Sequence, residues 1–126
     1  MTESNLAVSS LRSFVGCKDF DVSRDFYVAM GWSVAYDSDS LRLLELGQHS
    51  FYLQNYYQKD WCENSMLHLG VESVDDWFAF VKDVFSKNQF SKPARHSKEI
   101  KDEGYGRVFH VWDPGGVLLH IAQFHE

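Results

Sequence analysis

Alternating apolar and polar residues dominate the C-terminal end of the chain. Two such runs flank Asp113-Pro114-Gly115-Gly116, whose residues favour a tight turn, so the pattern predicts a β-hairpin. The alternation sorts the hairpin into an apolar face and a face with two histidines and a tryptophan, which is more typical of a pocket wall than of a core. The apolar face comprises Phe109, Val111, Leu119 and Ile121, and the other face Val108, His110, Trp112, Leu118 and His120.

Two stretches carry apolar residues at helical spacing. The first, residues 22–30, follows Asp19 or Asp21 as a candidate N-cap and precedes Gly31, which suits the left-handed conformation that ends many helices. The second helix follows Ser73 as N-cap, with Asp76 three residues on as a weak capping box. Its apolar stripe comprises Val74, Trp77, Phe78, Val81 and Phe85.

Short runs of strand-forming residues surround the two helices. The predicted strands are residues 11–18, 32–36, 41–46, 50–56 and 66–72, an irregular strand within 94–100, and the two strands of the hairpin. The order β-α-β-β-β thus occurs twice, about 56 residues apart, as expected of a duplicated module. We predict an α+β chain with a single domain, 1–126, built of two tandem βαβββ modules at about 11–56 and 66–124. Curved mixed sheets would surround a groove, with the helices outside.

Composition limits the classes of partner. Aromatic residues make up 16% of the 126 residues, more than a small core needs, so some are expected to line a binding surface. The formal net charge of −6 argues against a nucleic-acid partner, and no apolar run is long enough to span a membrane. Residues 1–10 lack a signal-like apolar segment, and Cys17 and Cys62 are predicted to be free thiols, so we expect a cytoplasmic protein.

Three motifs in a fixed order carry a family resemblance. They are Lys18-Asp19 with Ser23, Phe26-Tyr27 and Gly31; His68-Leu69-Gly70-Val71 before the second helix; and Asp113-Pro114-Gly115-Gly116 before the last strand. Together they resemble the vicinal oxygen chelate superfamily, which includes glyoxalase I, extradiol dioxygenases, fosfomycin-resistance enzymes and bleomycin-resistance proteins. The resemblance extends from about Leu11 to Phe124 and implies the paired βαβββ fold. Because one fold hosts many functions, the function has to come from the site.

The resemblance implies where a metal would be held in the enzymes of this superfamily, which take ligands from the first, fourth, fifth and eighth strands. Carried over residue by residue, these positions fall on Arg12, Tyr52, His68 and His120, the last where the family usually has glutamate. A guanidinium stays protonated and cannot bind a metal, and a tyrosine is a poor ligand for the usual metals of these enzymes. The chain therefore departs from the enzymatic pattern.

Within the superfamily, the chain is most similar to the bleomycin-resistance proteins. Those proteins are small, acidic, dimeric and metal-independent, and they sequester a cationic glycopeptide in aromatic-lined grooves at the dimer interface. The shared features are the segments 19–27 and 106–109, a histidine at position 120 and the negative net charge. The N-terminal arm contains no proline, which leaves open whether the N-terminal strand is exchanged between subunits.

These features predict a metal-independent small-molecule binding protein without catalytic activity or cofactor. It would sequester a cationic or aromatic ligand in the groove of a homodimer by stacking and hydrogen bonds. The predicted ligand-binding residues are Arg12, Trp32, Tyr36, Tyr52, Gln54, Tyr56, Trp61, His68, His110, Trp112 and His120.

Three histidines leave an alternative function open. His68, His110 and His120 are predicted to share the concave side of the sheet, where neutral imidazoles can bind a divalent metal such as Zn, Ni or Fe. The alternative is a metal-dependent lyase, transferase or dioxygenase that uses His68 and His120, with His110 as a substitute ligand. Arg12 on the same sheet would repel a cation. A third possibility is a structural or regulatory dimer whose groove is vestigial.

Overall fold

Residues 4–126, which the computed structural model of the protein describes, form three helices and nine strands. The first three residues of the predicted domain and of its polar N-terminal stretch lie outside the described residues. In chain order the elements are β1 (Phe14–Gly16), α1 (Phe20–Ala29), β2 (Ser33–Asp37), β3 (Leu41–Leu46), β4 (His49–Gln54), α2 (Lys59–Asn64), β5 (Met66–Gly70), α3 (Val74–Lys87), β6 (Arg95–His96), β7 (Lys101–Asp102), β8 (Gly106–Trp112) and β9 (Leu118–Phe124).

The strands form two mixed sheets, one in each module. The first sheet has the order β1-β4-β3-β2, with β1 parallel to β4, and the second has the order β5-β9-β8-β6, with β5 parallel to β9 and β7 beside β8. The two sheets of four and five strands confirm the predicted α+β fold of two βαβββ modules. The irregular strand predicted within residues 94–100 is replaced by the short strands β6 and β7.

Side-chain caps fix the starts of the two main helices. Oδ1 of Asp19 accepts a hydrogen bond from the backbone N–H of Val22, so Asp19 and not Asp21 caps α1. Oγ of Ser73 accepts from the backbone N–H of Asp76 and caps α3 as predicted. After α1 the chain turns at Gly31, whose φ of 104° is a conformation that residues with a Cβ rarely adopt.

The helices cover one face of each sheet and share a single core. Phe26 of α1 meets Phe85 of α3 edge-on, with 6.1 Å between ring centroids, so the two modules pack through their helices. The hairpin residues predicted to face the core are fully buried there. The fully buried residues of that face are Phe109, Val111, Leu119 and Ile121. We call the opposite side of each sheet, which points away from the helices, its open face.

The N-terminal strand is shorter than predicted. Residues 11–18 were expected to form it, but β1 pairs with β4 over Phe14–Gly16 only. The preceding residues lie outside the secondary structure, and Leu6 and Leu11 are 87% and 94% exposed. We call residues 4–13 the N-terminal arm.

The connector between the modules contains a helix that the sequence pattern does not predict. Helix α2 is six residues long and its N-cap, Gln58, makes no side-chain capping bond, so the usual start signal is missing. It places Cys62 in the core between the modules.

No helix within residues 4–126 is both long enough and apolar enough to cross a membrane.

Candidate functional site

The three predicted histidines lie side by side on the open face of the second sheet. The strand register places His68 opposite His120 and His120 opposite His110, so the three residues form one row across β5, β9 and β8. Nε2 of His110 lies 3.0 Å from Nδ1 of His120, which makes a hydrogen bond when one of the two nitrogens carries the proton. The ring of His68 is nearly parallel to that of His120, at 6.1 Å. The structure therefore brings together the three histidines that were predicted to share one side of the sheet.

Aromatic side chains flank the histidine row on both sides. The ring of Phe124 lies 5.4 Å from that of His68, and Tyr105 lies against both residues. At the other end, the ring of Trp112 lies 6.0 Å from His110. The open face thus presents a continuous row of flat, stackable groups to the solvent.

The environment of the row favours neutral imidazoles. Partial burial lowers the pKa of His110, an effect that Glu103 opposes and Lys101 reinforces. Burial also lowers the pKa of His120, and the neighbouring His110 and His68 lower it further. At neutral pH both rings can therefore act as hydrogen-bond donors and acceptors without carrying charge.

The open face of the first sheet carries the N-terminal part of the predicted site. The guanidinium of Arg12 donates to Oγ of Ser50 at 2.8 Å and to the hydroxyl of Tyr52 at 3.3 Å. Phe14 stacks on Tyr52 with 5.0 Å between centroids, and the register continues this row across β3 to Tyr36, which is exposed.

Tyr56 and Trp61 lie at the border of this face. Their rings are 5.5 Å apart and both are exposed, Trp61 by 62%. A cavity of about 540 Å³ is lined by Phe14, Gln54 and Trp61, which places the predicted residues Gln54 and Trp61 around one space.

The two open faces do not meet within one chain. Among residues 4–126, no hydrogen bond or aromatic contact joins Arg12 or Tyr52 to His68, His110 or His120. The eleven predicted residues therefore form two separate groups, one on each sheet, with Trp32 in neither.

Trp32 requires a correction. Only 7% of this residue is exposed, and its ring packs edge-on against Phe51 and Tyr27 in the core. Its backbone N–H donates to the carbonyl of Tyr27, so the residue still belongs to the turn that ends α1, and β2 begins one residue later. The pairing of β2 with β3 shifts between Val34 and Tyr36, so Val34 lies opposite the buried Leu44 while Tyr36 lies opposite Leu43 of the open face. Alternation along β2 therefore does not keep Trp32 on the face of Tyr36.

The donor set does not fit a metal. Within residues 4–126, no group of three or more His, Cys, Asp or Glu side chains is placed to hold a metal ion. Two of the positions that supply metal ligands in the superfamily's enzymes lie on the first sheet. Arg12 and Tyr52 occupy them, and the guanidinium of Arg12 donates a hydrogen bond to the hydroxyl of Tyr52.

The buried polar groups of the chain are structural. Burial raises the pKa of the Cys17 thiol to about 12 and raises that of Cys62, so both thiols are protonated and unreactive at neutral pH. Asp113 is fully buried, and its Oδ1 accepts hydrogen bonds from the backbone N–H groups of Gly115 and Val117, which fixes the turn of the hairpin.

Several residues of the open faces were not predicted from the sequence. Phe124 could have been found, because it continues the alternation that includes His120. Arg95, which stacks on Trp112, could not, because the pairing of β6 with β8 has no local signal. The open-face residues missed by the prediction are Phe14, Met66, Arg95, Tyr105 and Phe124.

Among the comparisons with known proteins, those with solved structures support the fold, and those based on sequence find no match. No protein-family model matches the sequence, and no curated protein matches it either. Solved structures do match. The chain superposes on a bleomycin resistance determinant encoded on the transposon Tn5 with a TM-score of 0.78 at 17% identity, covering 94% of this chain and 100% of the other.

Two further structures show the range of proteins with this fold. A bleomycin-binding protein complexed with bleomycin gives a TM-score of 0.75 at 18% identity over 94% of this chain and 100% of that one. The fosfomycin resistance protein FosX from Listeria monocytogenes, complexed with Mn(II) and sulfate, gives 0.69 at 13% identity over 94% and 93%. The chain has the fold of the vicinal oxygen chelate superfamily, and the predicted resemblance is confirmed at the level of the fold.

Proposed function

We propose that the protein is a metal-independent small-molecule binding protein that sequesters an aromatic ligand in a groove between two chains. The observation that carries the proposal is the open face of the second sheet. Its histidines and aromatic rings are at least partly exposed and lie on the side of the sheet that no helix covers. Flat rings beside a few hydrogen-bonding groups are typical of sites for heteroaromatic ligands.

A homodimer would complete the site. Each open face alone is a wall without an opposite wall, and exposed apolar residues surround both faces. Leu11, Phe14, Trp61 and Met66 are each more than half exposed, which is unusual for side chains that remain in water. Placing the first sheet of one chain opposite the second sheet of its partner would enclose the groove and cover these residues.

The donor chemistry supports binding over catalysis. His110 and His120, whose pKa values are lowered, are neutral hydrogen-bonding groups, and the thiols are buried and protonated. Aromatic stacking with a few hydrogen bonds holds a ligand without changing it. The groups on the open faces are therefore suited to stoichiometric sequestration of a ligand.

Titration with a panel of aromatic drugs, including bleomycin, tests the proposal by calorimetry and tryptophan fluorescence. Because Trp112 lies on the open face, a bound aromatic ligand is expected to quench its emission. Trp112→Phe combined with Trp61→Phe should remove most of the quenching, and Trp77→Phe, on the helix side of the sheet, should retain it.

Two results would overturn the proposal. One is the absence of heat and quenching for every compound in the panel. The other is binding that occurs only after a divalent metal is added, which would favour the metal-dependent alternative.

A further inference from the structure

The five arginines of the chain divide into two groups. Arg24, Arg42 and Arg107 each bind aspartates, with N–O distances of 2.7 to 3.4 Å. Arg24 lies on α1, and the other two lie on the helix-facing side of a sheet. The remaining two, Arg12 and Arg95, have no carboxylate within 4.0 Å in the part of the chain that the structure describes. These are the two arginines of the open faces.

Arg95 is held by stacking. The register places it opposite Trp112, and its guanidinium carbon lies 3.7 Å from the centroid of the indole ring. Stacking occupies the flat side of the guanidinium and leaves its N–H donors at the edge. No side-chain hydrogen bond from Arg95 to another residue of 4–126 uses these donors.

Arg12 is held by neutral oxygens. Its two hydrogen bonds go to the hydroxyls of Ser50 and Tyr52, and its guanidinium carbon lies 5.6 Å from the Tyr52 ring. These partners orient the side chain but leave its positive charge uncompensated. Each open face therefore presents one arginine that an aromatic ring orients and no carboxylate neutralises.

Part of the negative charge of the chain is bound on the helix-facing side of the sheets, and Asp60 lines the cavity beside Phe14 and Trp61. The carboxylates of Asp21 and Asp37 bind Arg42 on the helix-facing side of the first sheet. Glu45 shares the open face, in the row of Ser50, and Glu103 lies near His110, but neither is within 4.0 Å of the two arginines. Lys101 adds a positive charge beside Glu103. The net charge of −6 therefore does not describe the potential at the open faces.

We propose that the ligand is a planar aromatic acid, whose anionic group is held by the guanidinium of Arg12 or Arg95 and whose ring stacks on the open faces. The inference rests on the proposed binding function, and it reverses the expectation of a cationic ligand that the net charge suggested. A carboxylate accepts two parallel N–H donors from one guanidinium, and both arginines have such donors available. An amine would meet an arginine without a bound carboxylate on both walls of the proposed groove.

Three compounds with one ring system test the inference by calorimetry: 2-naphthoate, 2-naphthamide and 2-naphthylmethylammonium. Naphthoate is expected to bind about tenfold or more tightly than the amide, because a charge-assisted hydrogen bond is stronger than a neutral one, and the ammonium compound is expected to bind most weakly. At least one of Arg12→Gln and Arg95→Gln should weaken naphthoate binding about tenfold and leave amide binding unchanged. Arg24→Gln is the matched control and should change neither.

The outcomes separate this inference from the proposed function. Equal affinity for the acid and the amide, or naphthoate binding that is unchanged in both open-face variants, would overturn the acid preference and leave the binding function intact. Failure of all three compounds to bind at millimolar concentration would overturn both. Thermal melts that match the melt of the parent protein show that the Arg12→Gln and Arg95→Gln variants are folded.

Discussion

The hydroxyl of Tyr27 donates a hydrogen bond of 2.7 Å to Oδ2 of Asp113, across 86 positions of sequence. Both residues are completely buried, and the bond joins the helix of the first module to the hairpin of the second. The same carboxylate also holds the turn through backbone N–H groups. One buried residue therefore sets both the geometry of the hairpin and its attachment to the first module.

Tyr27→Phe is expected to lower the free energy of unfolding by roughly 1 to 3 kcal/mol, because it leaves a buried carboxylate oxygen without its donor. Urea denaturation measures the change. In the Asp113→Asn background the same substitution should have a smaller effect, since a neutral amide loses less when the hydroxyl is removed. Equal effects in both backgrounds would contradict a direct interaction.

The stability of the protein should depend on pH through Asp113. Burial raises the pKa of this carboxyl from 3.8 to about 6, against the hydrogen bonds from Tyr27 and the backbone, which lower it. The native state therefore binds more protons than the unfolded state between these values. The contribution of Asp113 to stability is fully present below pH 4 and is lost as the pH rises through 6, by about 3 kcal/mol at most.

Denaturation of the parent protein and of Asp113→Asn at a series of pH values measures this contribution. The difference in unfolding free energy between them should change across pH 4 to 6 and be constant above pH 7. A difference that stays constant over the whole range would refute the raised pKa.

The histidine row gives a prediction with an internal control. Because His68 contributes to the lowered pKa of His120 but not to that of His110, His68→Gln should raise the titration midpoint of His120 more than that of His110. Imidazole resonances in NMR spectra report both midpoints, and both should lie below 6.5 in the parent protein. An unchanged midpoint at His120 would contradict the contribution of His68.

The proposed dimer can be weakened through the N-terminal arm. Leu11 is almost fully exposed in the single chain, so Leu11→Asp should raise the dimer dissociation constant about tenfold or more if a partner buries this side chain. Sedimentation velocity over a range of concentrations measures it. Val28→Asp, at an exposed apolar position on α1, is the matched control and should leave the dimer unchanged.

Ligand binding should not require a metal. Because the donors among the described residues do not fit a metal ion, treatment with EDTA is expected to change ligand affinity by less than about twofold. Calorimetry before and after the treatment, with Mn(II) added back, gives the comparison. A loss of affinity that Mn(II) restores would show that the histidine row holds a metal.

Local signals predicted most of the fold. The caps at Asp19 and Ser73, the turn at Gly31 and the alternation in the hairpin each depend on nearby residues, and all are present in the structure. The prediction for Trp32 was wrong because an irregularity in β2 between Val34 and Tyr36 breaks the alternation that linked Trp32 to Tyr36. The stacking of Arg95 on Trp112 depends on a pairing between distant strands, which no short pattern encodes.

The separation of the two open faces has a consequence for how the protein would respond to its ligand. Under the proposed function, a complete groove exists only when two chains are together, so the ligand binds the dimer and not the free chain. By mass action, ligand binding then promotes assembly, and the apparent affinity rises with protein concentration. A mixed dimer of an Arg12→Gln chain and an Arg95→Gln chain would contain one groove with both arginines and one with neither.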